Sequence, residues 1–267
     1  NHDLWVYEWE RDTMTRLTSS PGFNGAPVWT PDGKHIAFAS QKHGGARNIY
    51  WIRADGAGEA QRLTESKYAQ APRSFSPDGK RLAFAEHSPE TGGDVWTLPL
   101  EGGDSDHPKP GKPEPFLRTP FTEGYPSFSP DGRWLAYASN ESGSSQVYVR
   151  PFPGSGGKWQ VSTGGGTMPV WSRQGRELFY GTEDSRIMVA AYTAQGDAFV
   201  PGKPRLWSEK RFTDPSFGPN FDLAPDGKRF AVLLAPEAAG EQKAPTRLTF
   251  ILNFFDEIRR RAPSGGK

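Results

Sequence analysis

The sequence predicts an all-β fold, a β-propeller of four-stranded antiparallel blades, and three observations carry that prediction. A Pro-Asp-Gly turn recurs along the 267 residues; a strand of alternating small and large apolar residues follows each turn; and a further strand, opened by a polar residue, follows that one. Glycine and proline, 31 and 25 residues, are spread among 13% aromatics, the composition of many short strands joined by tight turns.

Taken in order, Asp3-Leu4-Trp5-Val6-Tyr7 and Thr15-Arg16-Leu17-Thr18 read as the third and fourth strands of a blade with no inner hairpin before them. The turn motif then appears as Val28-Trp29-Thr30-Pro31-Asp32-Gly33, Ser74-Phe75-Ser76-Pro77-Asp78-Gly79 and Ser127-Phe128-Ser129-Pro130-Asp131-Gly132. Asp222-Leu223-Ala224-Pro225-Asp226-Gly227 is looser, and Val170-Trp171-Ser172-Arg173-Gln174-Gly175 keeps the Trp and Gly but loses Pro-Asp. Counted at the proline position, the spacings are 46, 53, 43 and 52 residues, too long for leucine-rich or ankyrin repeats. In each turn Pro presets φ, Asp bonds its own backbone, and Gly supplies the positive φ that closes the hairpin.

The second strands follow as His35-Ile36-Ala37-Phe38-Ala39, Arg81-Leu82-Ala83-Phe84-Ala85, Trp134-Leu135-Ala136-Tyr137-Ala138, Glu177-Leu178-Phe179-Tyr180 and Arg229-Phe230-Ala231-Val232. Third strands begin at Asn48, Asp94, Gln146, Arg186 and Arg247, and fourth strands lie at 61–64, 115–118, 159–162 and 205–207. The blades therefore run at about 1–18, 24–65, 70–119, 123–163, 166–209 and 218–255 in one domain, 1–256, with a basic tail at 257–267 that carries Arg259-Arg260-Arg261. Five inner hairpins against six third strands leave two ways to close the ring. Either the N-terminal pair completes the last blade, or an edge stays open to an edge-paired or domain-swapped homodimer.

The residues also resemble a known family. The turn repeat is similar to that of TolB-like propellers. Val147-Tyr148-Val149-Arg150-Pro151-Phe152-Pro153-Gly154, Ser162-Thr163-Gly164-Gly165-Gly166, Gly175-Arg176-Glu177-Leu178-Phe179-Tyr180 and Leu252-Asn253-Phe254-Phe255 resemble the C-terminal extracytoplasmic propeller of bacterial transmembrane serine/threonine protein kinases. The resemblance implies a sensing or binding module on the extracytoplasmic, periplasmic side. This chain departs from that pattern in having no kinase domain, no membrane span and no targeting leader before Asn1.

Composition narrows the function classes. Thirty-two basic against 31 acidic residues give a net charge of +1, with no surplus to neutralise a nucleic acid. The absence of cysteine removes disulfides, thiolate catalysis and Cys-ligated zinc. No Gly-x-Ser-x-Gly elbow occurs, the five histidines lack metal-site spacing, and Gly164-Gly165-Gly166 is followed by no Lys-Ser/Thr. Asp32, Asp78, Asp131 and Asp226 read as turn-formers. The Pro-rich stretch from Gly102 to Pro115 reads as a mobile surface loop.

Hairpin topology puts the Pro-Asp-Gly turns on one rim and the interblade loops on the other. The second rim gathers Asn24, Gln70, Glu123, Thr167 and Asn220 at the mouth of the channel, with His43, His87, Glu141 and Asp184 in nearby loops. This mouth would line a watery channel, or bind a peptide, protein or small polar ligand. It would also suit Ca²⁺, the one cofactor the residues suggest, held by Glu123, Asn24, Gln70 and Asn220. The primary expectation is thus a non-catalytic ligand- or protein-binding sensor or scaffold. The alternative is a metal-dependent hydrolase of lactonase or phosphotriesterase type with a divalent ion in the channel.

Overall fold

Strands that alternate small and large apolar residues must bury both faces, so they assemble as sheets stacked on sheets. In the computed structural model, which describes residues 2–103, 106–154, 156–213 and 221–233, the stacking is radial. An N-terminal hairpin, β1 (Trp5–Glu8) and β2 (Thr13–Arg16), precedes a blade of β3 (Asn24–Trp29), β4 (His35–Ser40), β5 (Asn48–Arg53) and β6 (Gln61–Arg62). The next blade comprises β7 (Ala69–Phe75), β8 (Arg81–Ser88) and β9 (Gly92–Gly103), with β10 (Pro108–Pro110) and β11 (Glu114–Leu117) both paired to β9. The third has β12 (Glu123–Phe128), β13 (Trp134–Ser139), β14 (Gln146–Pro151) and β15 (Trp159–Gln160). The fourth has β16 (Thr167–Trp171), β17 (Glu177–Gly181) and β18 (Ile187–Gln195), with β19 (Ala198–Pro201) and β20 (Arg205–Ser208) both paired to β18. A fifth inner hairpin, β21 (Phe221–Leu223) and β22 (Phe230–Val232), completes the described strands. The expected third strand at Arg247 and the tail at 257–267 lie outside the described residues. Among those described, no helix is long and apolar enough to cross a membrane.

The apolar core is divided among the interblade spaces. On β8, Leu82 and Phe84 face Ala37, Ile49 and Trp51 of the preceding blade, while Ala83 faces Leu135 and Tyr137 of the following one. On β13 the division repeats: Leu135 and Tyr137 look back and Ala136 looks forward onto Leu178 and Tyr180. The large residues thus fill one interface and the alanines admit the next blade to close packing. Leu4 and Leu17 of the N-terminal hairpin cover Ile36 and Phe38 in the same way.

The turns behave as their composition predicts. The hydroxyls of Thr30, Ser76 and Ser129 donate to Asp32, Asp78 and Asp131 at 2.5–2.6 Å. Each of those carboxylates also accepts the backbone N–H two residues on. The same hydroxyls accept the first N–H of the second strand, at His35, Arg81 and Trp134. Gly79 and Gly132 take φ of 71° and 70°, and a Cβ at either would meet the turn proline of the preceding blade, Pro31 or Pro77, at 3.7 and 3.4 Å. The turn rim is therefore a chain of glycine-on-proline contacts as well as a set of hairpins.

The stretch from Gly102 to Pro115 departs from expectation. β9 runs on to Gly103 and β10 returns along it, so the insertion is largely a hairpin extension. It braces the neighbouring blade: Asp106 meets the buried His35 ring at 2.8 Å and Arg53 at 2.7 Å, and the Pro108 carbonyl accepts from Gln61 at 3.0 Å. Sequence inspection treats proline and charge as loop signals, and the partners on the next blade are not visible to it. The β18–β19 extension, from Tyr192↔Pro201 to Gln195↔Ala198, was likewise not anticipated.

The hydrogen bond from His35, then that from Arg53, holds the Asp106 carboxyl below its ordinary value of 3.8. A depressed carboxylate adds stability above its unfolded pKa and loses it as pH falls through the folded value. Asp106→Asn should therefore lower the thermal midpoint at neutral pH by a degree or two. The two proteins should converge in acid, once Asp106 is protonated in the folded state, as circular dichroism melts across the pH range would show.

Candidate functional site

The inner strands line a channel of about 1110 Å³ to which all five inner hairpins contribute. In four of the inner strands its wall begins at a bulge, and it extends to the turn prolines Pro31, Pro77, Pro130 and Pro225. The bulges fall at the same place in each repeat. Ladder pairing slips between Gly25 and Val28 in β3, Pro72 and Ser74 in β7, Gly124 and Ser127 in β12, and Thr167 and Val170 in β16. Ala26, Tyr125 and Met168 hold φ of 51°, 52° and 51° there, a left-handed conformation that costs a non-glycine residue about 1–2 kcal/mol. A bulge bends its strand and re-aims the side chain it carries, and here it turns side chains toward the channel.

The repeat supplies its own comparison at this point. Two residues before the aromatic that ends each inner strand stand Pro27, Pro126 and Pro169, but the β7 position is Arg73. Arg73 lies in the channel wall with its guanidinium carbon 4.5 Å from the centre of the Tyr125 ring. Its Nε and Nη1 are shut off from solvent and have no hydrogen-bond partner. Burial pulls its pKa below the ordinary arginine value; Tyr125 opposes that shift and Arg47 adds to it. Arg47 lies over Phe23, at 5.0 Å, and its carbonyl accepts the Gln70 N–H beside the start of β7. Burial first, then Arg73 and Arg47, also push His87 below its usual 6.5, against the pull of Asp94. Arg73 thus lines the channel, and Arg47 and His87, from two adjacent blades, lie near enough to feel it electrostatically. Toward the turn rim stands Asp222, whose carboxyl is pushed up by burial and is stabilised only by the Leu223 N–H and Arg173.

The residues expected at the channel mouth stand at the starts of the inner strands, outside the lining of this channel. Asn24, Gln70, Glu123 and Thr167 each open an inner strand, and none of them lines the channel, whose wall starts at Ala26, Pro72, Tyr125 and Met168. Asn24, Gln70 and Glu123 serve as latches. Asn24 Oδ1 accepts from Ser20 at 3.2 Å and from Ser40 at 2.7 Å. Gln70 Oε1 accepts from Thr64 at 2.5 Å while its amide donates to Glu86 at 2.8 Å. Glu123 Oε1 accepts from Thr119 at 2.5 Å. In each case a hydroxyl that follows the preceding blade's last strand holds the first polar side chain of the next blade.

Glu123 differs in one respect: its Oε2 is buried with no partner, and burial pushes its carboxyl up, with Asp94 and Glu141 acting in the same direction and Thr119 opposing. His43 binds the Tyr50 hydroxyl at 2.5 Å and stacks on that ring, so it belongs to its own blade and not to a pair with His87. Glu141 pairs with Lys158, and Asp184 with Thr182 and Arg186. Asn220 lies outside the described residues. Of the predicted set, His87 alone reaches the basic cluster. Arg73, Tyr125 and the channel-facing Trp29 were missed, although the replacement of a repeated proline by Arg73 was a readable signal.

Comparison with known proteins agrees with this architecture. Residues 1–107 match the family model described as PD40, TolB beta propeller domain. A stretch of 66 residues, 25% of this chain and 10% of the relative, is 33% identical to the protein named Uncharacterized peptidase YuxL of Bacillus subtilis (strain 168). Among solved structures, TolB from Acinetobacter baumannii is similar at 20% identity with a TM-score of 0.57, covering 85% of this chain and 58% of that one. A puromycin-hydrolyzing peptidase of Mycobacterium tuberculosis is similar at 19% identity and a TM-score of 0.50, over 71% of this chain and 33% of the peptidase. The chain therefore spans a small part of the curated relative and 58% of the TolB structure. At these identities the structural likeness concerns the fold, a TolB-like β-propeller.

The electrostatic grouping can be checked directly. Arg73→Gln removes a cation that lowers the His87 pKa, so His87 should titrate at higher pH in the variant. The return toward 6.5 should be partial, because burial is the larger cause. Imidazole NMR resonances followed through the titration measure this, and an unmoved His87 would separate the two residues.

Proposed function

We propose that this chain is a non-catalytic binding propeller, and that its binding surface is the central channel. The observation that carries the reading is the contrast between channel and rim. The rim's polar side chains are committed to joining blades, whereas the channel of about 1110 Å³ presents side chains the fold does not use, chief among them Arg73. A preformed, largely apolar channel with a few polar groups is the usual form of a ligand site. Trp29, 47% exposed, gives it an aromatic wall. A peptide, protein segment or small polar ligand fits such a site, and the TolB-like architecture supports reading it as a sensor or scaffold on the extracytoplasmic side.

The rival is a metal-dependent hydrolase, and Glu123 Oε2 is the one feature in its favour. Calcium takes six to eight oxygen ligands. The carbonyl oxygens of Asn24 and Gln70 already accept hydroxyls, and among the described residues no three His, Asp or Glu side chains are placed to hold an ion. Neighbouring propellers include peptidases, so catalysis is tested here and not set aside on fold.

Turnover of an activated ester, a lactone and a phosphotriester is measured with Ca²⁺, Mn²⁺ or Zn²⁺ and with EDTA, alongside thermal unfolding. A binding propeller gives no metal-dependent turnover and the same midpoint in every case. An ion held at 100 times its Kd would add about 2.7 kcal/mol, a rise of roughly 5–10 °C. Metal-dependent turnover that disappears in Glu123→Gln would overturn the reading. The variant has a second expected signature. Because folding raises the Glu123 pKa, its stabilising contribution is present below the unfolded value and lost as pH rises. Glu123→Gln should therefore match or exceed wild-type stability at neutral pH, with the gain vanishing in acid.

A further inference from the structure

Arg73 is a cation without a polar partner in a wall where the repeat otherwise places proline. Among the described residues no hydrogen bond or salt bridge reaches its guanidinium, whose carbon lies 4.5 Å from the centre of the Tyr125 ring. Cation–π attraction offers about 0.5–2 kcal/mol, whereas a partly desolvated guanidinium without an anion is among the costlier groups to keep in a folded protein. A position of this kind is retained for something outside the fold. The acidic groups nearby do not answer it. Glu86 accepts from Ser66 and Gln70, Asp94 acts on His87, and Asp222 has Arg173 as its cation. Arg47 adds a second positive charge that acts on Arg73.

We infer that the inner end of the channel is an oxyanion site, in which Arg73 receives a carboxylate or phosphate group, the Tyr125 ring lies against its guanidinium, and Arg47 supplies further positive potential. Nε and Nη1 are closed to solvent, whereas Nη2 is not among the atoms so closed, and the residue lines the channel. The bulge explains why Tyr125 is available. Its φ of 52° turns the ring across to β7, at the position where Ala26 and Met168 adopt the same conformation without an aromatic ring. Around this charged end the wall is apolar, with Trp29, Phe75 and Phe128 among its residues, so the ligand that fits joins an oxyanion to an apolar or aromatic body. The inference deepens the proposal that the channel is a binding site, and rests on it.

Three probes of one shape separate the possibilities: phenylacetate, phenyl phosphate and the neutral phenylacetamide, each titrated by calorimetry and by tryptophan fluorescence. The wild-type protein should bind at least one of the two anions about tenfold or more tighter than the amide. Which anion is preferred identifies the source as carboxylate or phosphate. Arg73→Gln should abolish the preference, Arg73→Lys should keep part of it, and Trp29→Phe should remove the fluorescence change while leaving the calorimetric signal. Without ligand, Arg73→Gln should melt no lower than wild type, because it removes an unpaired cation. If all three probes bind alike and Arg73→Gln changes nothing, the channel is a binding site and the oxyanion inference fails. If none binds, both fail. A midpoint clearly lowered by Arg73→Gln would make the arginine a structural residue and overturn the inference.

Discussion

A blade of this protein cannot bury its own apolar residues, and it has two faces to bury. Every residue of β4 and of β13 is buried, although each belongs to a single-layer sheet. Burial is complete only because another sheet stands on either side, as Ala83 between one set of neighbours and Phe84 against the other demonstrates. Radial stacking follows from that demand, and with it the small-large alternation: two large faces in contact would hold the blades too far apart. An alanine on the forward face lets the following blade's Phe, Tyr or Leu come within packing distance.

Stacking fixes the inner strands around an axis but leaves a gap there, and the gap is filled differently from the interfaces. Hydroxyl latches at Asn24, Gln70 and Glu123 anchor the start of each inner strand, and the Ser/Thr-Pro-Asp-Gly turns anchor its end. Between these two anchors β3, β7 and β12 each make a bulge, at the one place where the ladder pairing slips. The polar residues that repeat from blade to blade perform a repeated structural task. The residues that depart from the repeat, Arg73 above all, are free of that task.

This division explains what was legible in the sequence. The turns were legible because their chemistry is local: Ser76, Asp78 and Gly79 bond within five residues of one another. The strands were legible because alternation has a period. Latches were not, since Thr64 meets Gln70 and Thr119 meets Glu123 only once two blades are docked, and polar residues at loop ends look the same whether they face solvent or each other. The Asp106 brace failed for the same reason, its partner His35 being 71 residues away. Bulges leave no composition signal at all; what marks them is the recurrence of Pro27, Pro126 and Pro169 and its interruption at Arg73.

Net charge misleads at this scale. A formal balance of +1 is the ground for expecting no nucleic-acid surface, yet it averages over ion pairs that already cancel, such as Arg81 with Glu114 and Arg205 with Glu177. What a ligand meets is the charge left over where pairing fails. In a propeller such failure concentrates at the axis, because side chains from different blades converge there while their backbones stay apart at the strand spacing the ring imposes. Arg73 and Asp222 both line that axis, and the electrostatic neighbours of the one, Tyr125 and Arg47, are not those of the other, Arg173. The fold holds opposite charges in one channel without letting them neutralise each other, and a molecule that enters the channel is what can bring either of them a partner.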